Sequence, residues 1–261
     1  MEGESAVNVF ERIAERVQGL QGKIGLYVCY PERGEGYGFN ADMPLEAASV
    51  IKLPIMVEAF RQKEAGLINF DAPVTIRPED KLPSCGALTY LHDGLTVTVG
   101  DLVTLMIILS DNTATNLMIG MLGIENINAT IESLGLTGTR LNRMLFRPEL
   151  SRQGIQNYVS AVDMGKLLQG MLQGEIVSPE ASARMLEILG DQRLNGKLPF
   201  YLHSRDIGCA HKTGEDSGIT HDVGVIFAEK TCVVCFLSNG TDVPETEKAI
   251  QDVAAMAAGI F

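Results

Sequence analysis

Strand-forming residues lie towards the two ends of this chain and helix-forming residues fill its middle. That division constrains the fold more than any other feature of the sequence. Ile24 to Tyr30 reads as a strand, and Gly36 to Asn40 as its hairpin partner beyond a Pro-Glu-Arg-Gly turn. Near the other end, a strand closes on His211-Lys212-Thr213-Gly214, and Val223 to Glu229 and Thr231 to Ser238 form a strand pair joined by a tight turn. Apolar residues at helical spacing (Val7, Phe10, Ile13, Ala14, Val17) place a helix over residues 5–18, ended by Gly19 and Gly22, and Pro244 to Ile260 reads as a closing helix. Further helices are expected from Ser49 to about Gly66, over 102–109, 113–122 and 125–134, and near 160–173 and 178–190. Residues 67–100 are broken by prolines and glycines into loop and short elements.

The simplest packing is α+β. An antiparallel five-stranded sheet from residues 24–40 and 207–239 carries the terminal helices on one face. The expected organisation is an α/β subdomain of residues 1–59 and 206–261 and an all-helical subdomain of residues 60–205, in one structural unit with a cleft at the junction.

Composition narrows the function classes. The net charge of −12 argues against a nucleic-acid backbone or a polybasic membrane contact. The first 20 residues lack the basic start and apolar run of a secretory signal, so the chain as given reads as cytoplasmic, or as secreted or periplasmic if a leader has been removed. No stretch approaches the length of a membrane helix. Five cysteines at irregular spacing do not look like a disulfide framework. Cys232-Val233-Val234-Cys235 has the spacing of a redox pair, but in a strand its two thiols point to opposite faces and read as buried structural groups.

Ser49-Val50-Ile51-Lys52 opens an apolar run that continues to Phe60. Ser49 reads as a helix cap, and residues three apart share a helix face, so the Lys52 amine is expected to reach the Ser49 hydroxyl. A serine hydroxyl is a weak nucleophile until a base takes its proton. Lysine is such a base only when neutral, a state that burial favours. Alone, the pair reads as a helix cap followed by a solvated lysine. Ser110-Asp111-Asn112 and Lys212-Thr213-Gly214 alone read as a loop cap and a turn. Each fixed tripeptide arises by chance in only about a few per cent of chains of this size, so the ordered set carries the weight.

In this order the three motifs resemble the signature of class A β-lactamases and penicillin-binding proteins. The stretch from Leu95 through Ser110-Asp111-Asn112 to Leu117 is similar to the corresponding family helix, and Thr139-Arg140-Leu141-Asn142-Arg143 resembles the start of the family's omega loop, expected over about 138–157. The resemblance covers essentially the whole chain and implies the two-subdomain β-lactamase/transpeptidase fold. It implies Ser49 as nucleophile, Lys52 as its base or part of the proton relay, and Ser110 as proton donor to the lactam nitrogen. Asn112 would hold Lys52 and the substrate's side-chain amide, Lys212 and Thr213 would meet the substrate carboxylate, and Gly214 would let the strand approach the substrate. The backbone N–H groups of Ser49 and Glu215 would form the oxyanion hole. The implied partner is a small-molecule β-lactam or peptide-like substrate, with no metal or organic cofactor.

The sequence departs from the family pattern at the omega loop. Where the family reads Glu-Pro-Glu-Leu-Asn, with a glutamate that activates the deacylating water, this chain reads Arg147-Pro148-Glu149-Leu150-Ser151. Glu149 is the only carboxylate near enough in sequence to serve. Asn157 stands where the family has an aspartate that pairs with the loop arginine, Glu215 replaces a small residue, and His221-Asp222 has no role in the pattern. Three activities fit: a β-lactam hydrolase, a serine peptidase or esterase of the same fold, and a penicillin-binding module that stalls as acyl-enzyme.

Overall fold

The computed structural model describes residues 6–261. Helix α1 (Ala6–Val17) leads into the hairpin of β1 (Lys23–Tyr30) and β2 (Glu35–Phe39). The short strand β3 (Leu45–Glu46) and a 3₁₀ turn (Ala48–Ile51) precede α2 (Lys52–Glu64). Strands β4 (Pro73–Thr75) and β5 (Thr96–Thr98) pair with each other ahead of α3 (Val99–Ile108), α4 (Asn112–Leu122) and α5 (Ile124–Ser133). A loop holding the single short helix α6 (Pro148–Arg152) runs to β6 (Tyr158–Val159), which pairs with β3. Helices α7 (Ala161–Gln173) and α8 (Pro179–Gly190) are followed by β7 (Gly208–Asp216), β8 (Ile219–Phe227), β9 (Cys232–Asn239) and α9 (Val243–Ala257).

The main sheet has the order β2-β1-β9-β8-β7, antiparallel throughout. The two chain ends therefore meet at its centre, and β7 is an outer strand. Alternation along the strands divides two cores. Ile24, Leu26, Val28 and Phe236 face the layer made by α1 and α9. Val233, Cys235 and Leu237 face the other way, into the core built with α2, α3 and α7. Cys232 and Cys235 fall on opposite sides of the sheet, and all five cysteines are free thiols. The α1 periodicity is carried by Ile13 and Val17, which are buried; the side chain of Val7 lies outside the described residues.

Helix α2 is the centre of the helical layer: every residue from Lys52 to Phe60 is buried. Its neighbour α3 is started by a reciprocal Thr98–Asp101 capping box and buries Leu102, Val103, Met106 and Ile107. Among the described residues, no helix is long and apolar enough to cross a membrane.

Two sequence expectations are corrected at this level. Ser49 is not a helix cap: it lies inside the 3₁₀ turn, whose backbone is already helical and runs straight into α2, so its hydroxyl is not turned back onto the helix. Lys212-Thr213-Gly214 is neither a turn nor a strand end. It sits in the middle of β7, because the pairing with β8 continues through Glu215–Thr220 to Asp216–Ile219.

Candidate active site

Ser49, Lys52, Ser110, Asn112 and Lys212 come from three separate stretches of the chain that converge where β7 packs on the 3₁₀ turn. Two of the joining segments are strained. Ala48, next to Ser49, has φ +41°, and Ser110 has φ +52°, the left-handed region that side chains disfavour. Such strain persists only where the surroundings fix it, and it concentrates at functional sites.

Lys52 is fully buried, and its Nζ donates to the Ser110 carbonyl (2.8 Å), the Ser110 hydroxyl (3.1 Å) and Asn112 Oδ1 (3.0 Å). Lys212 Nζ donates to the same Ser110 hydroxyl at 3.0 Å and to its neighbour's carbonyl at Thr213, 2.7 Å. One hydroxyl thus bridges two buried amines. Burial, and then repulsion by Lys212, holds the Lys52 pKa well below the ordinary lysine value. Burial also lowers Lys212, to about 7, with Lys197 adding repulsion and Asp222 opposing it. With Lys52 neutral, the same contacts leave it donating to the Ser110 carbonyl and to Asn112, and the Ser110 O–H then donates to the amine instead of accepting from it. The Ser49 hydroxyl is not among its hydrogen-bond partners, contrary to the expectation from three-residue spacing: the amine is engaged instead by the Ser110 carbonyl, the Ser110 hydroxyl and Asn112.

Asp111 explains why the middle motif sits where it does. Its carboxylate caps α4 through Ala114 N–H (2.9 Å) and holds the 84–88 segment through the N–H groups of Ala87 and Leu88. A Cβ at Gly86 would lie 2.3 Å from that carboxylate. Gly214 has a comparable reason: a Cβ there would press on Val50 (3.1 Å) and His221 (3.0 Å), so glycine lets β7 lie against the turn that carries Ser49. The outer edge of β7 is unpaired by any strand of the sheet, which leaves its outward N–H groups beside that turn.

A cavity of about 740 Å³ opens over Ser49. It is lined by Asn112, by the acids Glu46, Glu215 and Asp216, and by the loop residues Arg143, Arg147 and Arg152. Glu149 does not line it. The short helix α6 turns that side chain to solvent, while Pro148 and Ser151 of the same helix face inwards.

The loop neck is held without the ion pair of the family pattern. Asn157 Oδ1 accepts from the N–H groups of Asn142 (2.8 Å) and Arg143 (3.0 Å), and its Nδ2 donates to the Arg143 carbonyl (3.0 Å). The Arg143 guanidinium donates to the carbonyls of Ile155 and Met144 and to Gln156. Glu215 is neutralised by Lys197, 2.9 Å away and nearly fully buried, a residue with no motif to mark it among the chain's 21 lysines and arginines. His221, also without a role in the sequence pattern, is buried between strands and loop: Nε2 donates to the Glu46 carbonyl (2.8 Å), and Nδ1 accepts from Ser238 N–H (3.0 Å). It ties β8 and β9 to the segment leading into Ser49. Burial lowers its pKa to about 4.

Residues 8–261 match the profile of the family described as the beta-lactamase enzyme family. The chain belongs to that family. A β-lactamase of Rhodobacter capsulatus is 26% identical over 192 residues, 72% of this chain and 64% of that protein. Among solved structures, a β-lactamase from Sphaerobacter thermophilus superposes with a TM-score of 0.88 at 31% identity, over 98% of this chain and 99% of that one. PBP-A superposes with a TM-score of 0.87 at 29% identity, over 98% and 96%; a leucine-to-glutamate mutant of it, solved as an acyl-enzyme complex with penicillin G, gives 0.87 at 28% identity, over 98% and 97%. The α+β two-subdomain architecture expected from the motifs is the fold of this family.

Proposed function

We propose that the protein is a serine-acylating hydrolase that opens β-lactam amide bonds through an acyl-enzyme on Ser49. The observation that carries this reading is the Ser110 hydroxyl held between two buried amines, Lys52 and Lys212, below a cavity lined by Ser49. In the proposed sequence, Lys52 takes the Ser49 proton as Oγ bonds to the lactam carbonyl carbon. The negative carbonyl oxygen is met by the N–H groups of Ser49 and Glu215. The C–N bond then breaks, and the nitrogen receives a proton from Ser110, which is refilled from Lys52. Lys212 and Thr213 hold the substrate carboxylate, Asn112 the side-chain amide, and Gly214 keeps β7 close. Water then cleaves the ester and restores Ser49.

The last step is expected to be slow. Where a carboxylate would activate water from the loop wall, this chain presents Arg147, and Glu149 is turned to solvent. That favours a second reading, the penicillin-binding module that stalls, and the PBP-A mutant captured with penicillin G offers a parallel for such an adduct. A peptidase or ester hydrolase would use the same groups on another acyl donor.

Mixing the protein with a chromogenic cephalosporin tests this reading. A burst of ring opening equal to the enzyme present, followed by a slow steady rate and absent in Ser49→Ala, is expected. An equal rate in wild type and Ser49→Ala overturns it.

A further inference from the structure

The loop wall of the cavity carries cationic groups that nothing in the proposed chemistry uses. In a chain of net charge −12, three arginines of one ten-residue segment, Arg143, Arg147 and Arg152, line this single wall. Arg143 is fully engaged with the loop's own carbonyls and Gln156. Arg147 and Arg152 differ: among the described residues neither is ion-paired, and the one side-chain hydrogen bond between them runs from Arg152 Nε to the Pro148 carbonyl. The acids that line the same cavity are answered separately. Glu215 pairs with Lys197, Asp216 accepts from Ser217 N–H (2.7 Å), and Glu46 is solvent-exposed.

We infer that Arg147 and Arg152 select acyl donors that carry a second carboxylate on the acyl side chain. The inference rests on the acyl-enzyme reading above. With the carbonyl at Ser49 and the ring carboxylate at Lys212 and Thr213, the acyl side chain is left to the cavity that Ser49, Arg147 and Arg152 line together. Both side chains are exposed where they line the cavity, and a guanidinium presents there a planar fork of N–H donors matched to a carboxylate, in a pair that salt screens. The substrate class is therefore a doubly anionic lactam or peptide-like acyl donor, with one carboxylate at each end of the scissile amide.

The test compares benzylpenicillin with carbenicillin, which differs by a carboxylate on the side-chain carbon. Second-order acylation of Ser49 is measured by intact mass on the full chain, in wild type, Arg147→Gln, Arg152→Gln and the charge-keeping Arg147→Lys. The expected result is a carbenicillin-to-benzylpenicillin rate ratio about tenfold or more above that of the two glutamine variants, kept only in part by Arg147→Lys, which holds the charge without the fork, and reduced by salt. Acylation by both penicillins with a ratio unmoved by either glutamine variant overturns this inference and leaves the acyl-enzyme reading standing. Adduct from neither penicillin overturns both.

Discussion

The two buried amines make opposite demands at the scale of single residues. In the proposed chemistry Lys52 has to be neutral to take a proton, and Lys212 has to be charged to draw a carboxylate. The Lys212 pKa of about 7 sets the direction of the second effect: its charge is present below that value and lost as pH rises through it. Acylation of the free enzyme is expected to fall above pH 7 through weaker substrate binding, and Lys212→Arg, which stays charged, is expected to flatten that alkaline limb. An unchanged limb in the variant would assign the titration elsewhere. His221 acts on stability instead. Its pKa is about 4 in the fold against 6.5 when unperturbed, so the unfolded chain binds more protons between those values. Stability is expected to be unaffected by this group above pH 6.5 and to decline as pH falls towards 4, by about 3 kcal/mol in all. Denaturant titrations at pH 7 and 4.5 check this, with His221→Gln predicted to show the shallower pH dependence. These residues also mark the limit of what the sequence makes legible. Ser49, Lys52, Ser110 and Lys212 stand in motifs, whereas Lys197 reaches Glu215 only through the tertiary fold, and no local pattern marks it.

Among the elements, the 138–157 loop is where the chain is most its own. Its length and its arginines are visible in the sequence, but the inward or outward sense of Glu149 is set by one short helix, α6, whose five residues carry too little periodicity to read. Asn157 holds the neck by three hydrogen bonds to backbone, two of them accepted from N–H groups. Asn157→Ala leaves those groups unpaired and is expected to cost about 2–3 kcal/mol and to expose the loop to protease; urea midpoints and limited proteolysis measure both. Asn157→Asp keeps the acceptor and is expected to lose less. Arg147→Glu places a carboxylate on the cavity wall. The lifetime of the Ser49 adduct is expected to shorten severalfold, read by mass after removal of free penicillin. An unaltered lifetime would show that position 147 does not reach the water.

For the molecule as a whole, strands at the chain ends and helices between them are enough to foretell one antiparallel sheet from both ends of the chain, while the order that sets β1 beside β9 comes from the structure. Periodicity carries that much because β1 and β9 bury alternate residues on two faces and α2 and α3 bury nearly all of theirs. It does not carry the left-handed residues Ala48 and Ser110, whose conformations are imposed by long-range packing and which bring the three motifs together. The same packing places Ser49 on a cavity, and behind it two buried amines and the hydroxyl that bridges them, so the central claim is that this constellation makes Ser49 an acyl acceptor. The most direct measurement is the intact mass of the protein after brief exposure to benzylpenicillin, with the modified residue located by peptide mapping. The account predicts a mass increase equal to one penicillin, on Ser49, that decays slowly and is absent in Ser49→Ala. An unmodified mass without product release, or an adduct that persists in Ser49→Ala, would contradict it.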